Sequence, residues 1–232
     1  MKKLLCTILA LIMVFVTPVY ITAEAEPEQP LFCKESPKYL ATEVKLLEDY
    51  VSVDELKAAI KPQIENYSAR IDVRSFGIPF TDEYLSALRN FLCEEMPEYF
   101  YINPGNFWSY DGSTIAFFDA YYVCTPDTYE ECKTKWDAEV DRILDGIRGN
   151  DSLTEAQKAL LIHDRLVAHC EYDQERLVNN TLPTESYMAY GALVNRICVC
   201  EGYSEAYCYL LKLVGIESYL CSSSQLNHEG IL

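Results

Sequence analysis

Arg196-Ile197-Cys198-Val199-Cys200-Glu201-Gly202-Tyr203-Ser204-Glu205-Ala206-Tyr207 is the stretch on which the reading of this chain turns. Downstream, Ala206, Leu210, Leu211 and Val214 recur at helical spacing and Gly215 supplies a stop. Cys200 therefore stands where a helix begins. Unpaired N–H groups and the helix dipole favour an anion at that end, and the thiolate is the nucleophilic form of cysteine. Further on, Asn227-His228 offers a base after a short strand. Cys on a helix start, then strand, then His, is the order of a cysteine-nucleophile acyl-transfer site.

The beginning of the chain has a different character. Lys2 and Lys3 precede an apolar run from Leu4 to Val16, and Ala23-Glu24-Ala25 offers a small-x-small cleavage site. A run of this length is short for a bilayer span, so residues 1–25 read as a secretory signal peptide. The expected mature chain is secreted or cell-surface associated, with no membrane partner after cleavage. Its net charge of −17 argues against nucleic acid and anionic membranes as partners. Eighteen Tyr suit partly wet clefts and interfaces.

Ten Cys is a high count. Setting aside Cys6 in the leader and Cys200 as nucleophile leaves Cys33, Cys93, Cys124, Cys132, Cys170, Cys198, Cys208 and Cys221. An exported chain with an even set permits disulfides, and the spacing alone does not choose among the pairings. Cys124 and Cys132 flank one turn and are the easiest pair to bridge. Cys198 reads as a packing or disulfide residue. No paired Cys-x-x-Cys motifs occur, so neither a metal nor a cofactor is expected.

In chain order, helices are expected over Tyr39–Tyr50, Val53–Tyr67 and Asp82–Glu95, with Pro62 bending the second or starting a new turn. Tyr99–Val123 is strand-rich, and Asp111-Gly112 signals a hairpin. Thr128–Ile147 reads as a long helix. Thr154-x-x-Gln157 is a capping-box pattern opening the next one, with an apolar face of Ala156, Leu160, His163, Val167 and Cys170. On that face His163 reads as a satisfied core histidine. Residues 173–188 read as a polar surface loop, with Asp164 and Asp173 as surface and turn residues. The boundary falls between Gly149 and Thr154, giving an α+β extension over 26–150 and a chemistry-bearing part over 151–232.

Three segments of that second part carry a family resemblance. They are Leu161-Ile162-His163-Asp164-Arg165-Leu166-Val167-Ala168-His169-Cys170-Glu171-Tyr172-Asp173, the run from Ala189 to Tyr203, and Leu213-Val214-Gly215-Ile216-Glu217-Ser218-Tyr219 leading to Asn227-His228. Together they resemble the transglutaminase-like domain of secreted bacterial proteins, within the papain-like cysteine-enzyme superfamily. The resemblance implies an α+β fold in which the helix bearing the Cys packs on an antiparallel sheet. It implies Cys200 as nucleophile and His228 as base. Tyr190, in the loop before the helix, is the candidate side-chain donor to the oxyanion. The family's third member, an Asp or Asn beyond the His, is not reached by Leu232, so the domain is expected to be incomplete as given. Glu229-Gly230 stands where the family has a small residue and Trp, and Cys198 where it has a small residue.

The expected chemistry is acyl transfer or hydrolysis at an amide of a protein or peptide, through a Cys thioester. Hydrolysis is favoured over cross-linking because no amine-acceptor site is evident. The second expectation is a catalytically inactive binding module that keeps the fold.

Overall fold

The computed structural model describes residues 43–223 and 228–231 and, of Glu43, Ser222, Ser223, His228 and Glu229, the backbone alone. The leader, Cys6, Cys33 and Asn227 lie outside the described residues. Helix α1 (Glu43–Leu47) leads to α2 (Val53–Glu65), where the Ser52 side chain accepts from the Glu55 N–H in a capping box. Pro62 lies in the last turn of α2, and the helix runs through it to Glu65. Proline has no N–H to bond the Ala58 carbonyl, so the helix passes through Pro62 with one ladder bond fewer.

Strand β1 (Arg70–Asp72) precedes α3 (Asp82–Glu95), and β2 (Ile102–Trp108) and β3 (Phe117–Tyr122) form a hairpin. Gly112 sits in its turn at φ +77°, the conformation the Asp-Gly pair anticipates. The three strands make one antiparallel sheet in the order β1-β3-β2. Its apolar side closes a first core with Leu56, Ile60 and Ile64 of α2, Leu88 and Phe91 of α3, and Ile71 and Phe118 of the sheet.

Helix α4 (Tyr129–Leu144) follows, then α5 (Glu155–His169), capped reciprocally by Thr154 and Gln157 as expected. Next come β4 (Glu171–Tyr172), α6 (Gln174–Val178), a 3₁₀ turn at Thr184–Tyr187, a π turn at Gly191–Asn195 and β5 (Ile197–Cys198). Then come α7 (Cys200–Leu213) and the antiparallel pair β6 (Leu220–Ser223) and β7 (His228–Ile231). Gly215, at φ +79°, ends α7 where the sequence places a stop.

A second core gathers Trp136, Val140 and Ile143 of α4, Ile162 and Leu166 of α5, Leu193, and Ala206 and Leu210 of α7. Core membership changes between Cys124 and Trp136, because the apolar stripe of α4 faces the second core. Phe100 joins the two, stacking on Trp136 at 4.7 Å between ring centroids. The whole is mixed α+β with small sheets, and α7 lies against β7 of the antiparallel pair.

Two expectations along α5 are corrected. The buried face is Ile162, Leu166 and Cys170, while Leu160 and Val167 are 60% and 53% exposed. The helix carries apolar residues on adjacent stripes, so its own pattern does not select the inward one. The histidines exchange roles with that rotation. His163 is exposed, its Nδ1 3.0 Å from Asp164 Oδ1. His169 is the satisfied core histidine, its side chain 2% exposed. Its Nε2–H donates to the Leu193 carbonyl at 2.6 Å, and Nδ1 faces the Arg142 guanidinium. Burial holds His169 below the usual imidazole range, which keeps Nδ1 free to accept.

Candidate active site around Cys200

Cys200 is the first residue of α7, preceded by Val199 in extended conformation. The first N–H groups of a helix have no acceptor inside it, and Val199 has no side-chain oxygen with which to cap them. Cys200 is partly exposed. The helix start is fixed from outside by backbone bonds. Strands β4 and β5 pair in parallel, Glu171 with Ile197 and Tyr172 with Cys198. Asp173 donates its N–H to the Cys198 carbonyl, and Val199 donates to the Ser186 carbonyl, both at 2.9 Å.

The segment 173–188 is therefore part of the site's frame, which corrects its reading as a surface loop. Asp173 is 2% exposed, accepting from Ser186 Oγ at 3.0 Å and Arg176 Nη1 at 3.1 Å. Its polar composition concealed this, because each buried polar group is matched by a partner from the same segment. Two glycines let the frame close on α7. A Cβ at Gly202 would stand 2.8 Å from the Met188 carbonyl oxygen, and one at Gly191 would stand 2.0 Å from that of Glu185.

Tyr190 is the residue expected as the oxyanion donor. It is buried in the second core, its ring stacked on Trp136 at 6.3 Å and on Phe100 at 6.2 Å. Burial, and then Cys132 hydrogen-bonded at its hydroxyl, push it well above the phenolic range. Tyr172 stands nearer the thiol, its backbone paired with Cys198 two residues before Cys200. Burial, and then the charge of Cys200, raise Tyr172 above the usual phenolic range, so it stays protonated. Its ring stacks on Tyr203 at 6.4 Å, nearly parallel. The usable signal was the parallel strand pairing, which no single stretch of sequence displays.

Cys200, Tyr203, Ser204 and Tyr207 share one face of α7 by helical spacing. The last three line a cleft of about 470 Å³ with His163, Leu166 and Val167 of α5, Tyr172 of β4 and Ile231 of β7. His163 and Val167, on the α5 stripe that does not reach the core, therefore border an apolar and aromatic groove on the Cys200 face of α7. His228 begins β7, paired with Ser223, at the opposite end of the ladder from Leu220–Ile231.

Glu205, one turn beyond Cys200, turns the other way. Its carboxyl accepts from Cys93 Sγ at 3.0 Å and from the Ala189 N–H at 2.9 Å, between the two cores. Desolvation, reinforced by Glu201, raises it to about 8. The residue as a whole is partly exposed, but both carboxyl oxygens are engaged inward. The other described cysteines are all thiols. Cys124 lies beside Cys132 and the Tyr67 hydroxyl without a bridge. Among the described residues no group of three or more His, Cys, Asp or Glu side chains could hold a metal ion. Nor is any described helix long and apolar enough to cross a membrane.

No protein-family model matches the chain, and no curated sequence does. Among solved structures, one described as "Crystal structure of a TGase" is similar at 10% identity and a TM-score of 0.35. That likeness covers 60% of this chain and 42% of the other, so the chain spans less than half of that protein's length.

Proposed function

We propose that the chain is an exported cysteine enzyme that attacks an amide carbonyl of a protein or peptide through Cys200 and hydrolyses the resulting thioester. The catalytic part is the transglutaminase-like region over 151–232, with 26–150 as its α+β extension and 1–25 as the signal. The observation that carries this reading is Cys200, partly exposed as the first residue of α7, on the helix face whose Tyr203, Ser204 and Tyr207 line an apolar cleft with Tyr172.

In this scheme the Cys200 sulfur adds to the carbonyl carbon. The developing oxyanion is met by the Cys200 N–H, unpaired at the helix start, and by the Tyr172 hydroxyl. His228, on the strand beside α7, takes the thiol proton and delivers it to the leaving amine, which departs as the thioester forms. Water then attacks the thioester, and acid and free thiol are released. The apolar groove suits a substrate side chain rather than a second charged acceptor, which favours hydrolysis over cross-linking.

The test is limiting iodoacetamide on the reduced, folded protein with peptide mapping, alongside an amide-cleavage assay of Cys200→Ala. Cys200 is expected to label before the other thiols, and the variant to fold while losing all cleavage. Uniform labelling, or activity retained in the variant, overturns the nucleophile. A folded protein whose Cys200 stays unreactive is the binding module instead.

A further inference from the structure

Cys170 and Cys198 bring their sulfurs together from two different elements. Cys170 caps the C-terminal end of α5, and Cys198 ends β5, two residues before Cys200. Their Sγ atoms lie 3.4 Å apart, and both residues are buried. The side chains project to the same side of the β4–β5 ladder, because Tyr172 faces Cys198 and Cys170 lies two residues before Tyr172. The Tyr203 hydroxyl donates to the Cys170 carbonyl and fixes this corner from α7. The residues between the two cysteines include Asp173, Ser186, Met188 and the π turn, which form the frame closed on the start of α7.

We propose that Cys170 and Cys198 are a disulfide-forming pair that, once oxidised, staples this frame beside Cys200. The oxidant is a low-molecular-weight disulfide such as oxidised glutathione. The Cys170 sulfur attacks one sulfur of the oxidant, forms a mixed disulfide and expels one thiolate. Cys198 then loses its proton and attacks Cys170 Sγ, expelling the second. The protein gives up two protons and two electrons, and one small-molecule disulfide becomes two thiols. The order follows from the surroundings. The contact with Cys198 holds the Cys170 thiol below its usual range, while the same contact and burial push Cys198 far above it.

The bridge would differ from the turn-spanning Cys124–Cys132 pair in what it constrains. It would hold β4, which carries Tyr172, in register with β5, which leads into Cys200, while Cys200 itself stays a free thiol. Closing the loop between residues 28 apart removes freedom mainly from the unfolded chain.

The experiment equilibrates the full chain in excess oxidised glutathione, alkylates the remaining thiols and maps tryptic peptides without reduction. The expected product links the peptide from Leu166 to Arg176 with the peptide from Ile197 to Lys212, lighter by two hydrogens than the reduced pair. The second peptide also holds Cys200 and Cys208, so variants assign the sulfur. Cys200→Ala is expected to keep the link, and Cys198→Ala and Cys170→Ala each to lose it. The melting temperature of the oxidised protein should exceed that of the reduced one by about 5 °C or more. That difference should vanish in either of the last two variants. A link that survives Cys198→Ala, or full alkylation of both cysteines after oxidation, overturns the pair. Should Cys198→Ala not fold, Cys170→Ala reads the same outcome from the other side.

Discussion

Gly202 of α7 passes so close to the Met188 carbonyl oxygen that a Cβ on it would lie 2.8 Å away, with Cys198 Cβ and the Ser186 carbonyl oxygen both at 2.9 Å. The helix that begins at Cys200 is therefore pressed against the chain that precedes it, and backbone atoms on that side cannot yield cheaply.

Gly202→Ala tests this contact. Alanine is a better helix former than glycine by about 1 kcal/mol. The overlap outweighs that gain, and a net loss of about 2 kcal/mol is expected, seen as a melting temperature lower by about 5 °C. A variant as stable as the parent would mean that the segment from Ser186 to Met188 moves away freely.

Tyr172→Phe removes one hydroxyl and keeps the ring that stacks on Tyr203. The bond proposed from this hydroxyl to the thiol is worth about 1 kcal/mol, so iodoacetamide labelling of Cys200 should slow about 5-fold at fixed pH, with an unchanged circular dichroism spectrum. An unaltered labelling rate would remove Tyr172 from the site. Tyr190→Phe is the comparison: its hydroxyl meets Cys132, so labelling of Cys200 should stay at the parent rate.

Asp173→Ala leaves the Ser186 hydroxyl buried without its acceptor and frees Arg176 from its ion pair. The unsatisfied group should cost about 2 kcal/mol in urea unfolding. Ser186→Ala in the same background should recover part of that loss, because no orphaned donor then remains. Absence of any recovery would show that the cost comes from elsewhere in the frame.

Glu205 gives a dependence on pH. Its folded value is raised to about 8 from an ordinary 4.5, so the unfolded chain releases this proton first as pH rises. The folded form accordingly loses stability through that window, and the loss is complete above about pH 8. Thermal melts of the parent should fall across it, and Glu205→Gln, which stays neutral, should flatten the slope. A slope that persists in the variant assigns the titration to another group.

Short-range features are legible in the amino-acid sequence itself. The start of α7 at Cys200, its end at Gly215, the capping box at Thr154 and the hairpin turn at Gly112 all follow from residues a few positions apart. Caps, stops and turns are local hydrogen-bond and dihedral problems, so a local pattern contains their solution. The tertiary structure alone decided which stripe of α5 turns inward, and with it that His169 is buried and His163 borders the cleft. It also decided that Tyr172 pairs beside Cys198, that Tyr190 enters the second core, that Asp173 is enclosed, and that Cys170 finds Cys198. Rotating a helix about its axis preserves its pattern and its caps. The choice among rotations is made by the summed burial of residues from α4, α5, the π turn and α7, which no single segment carries.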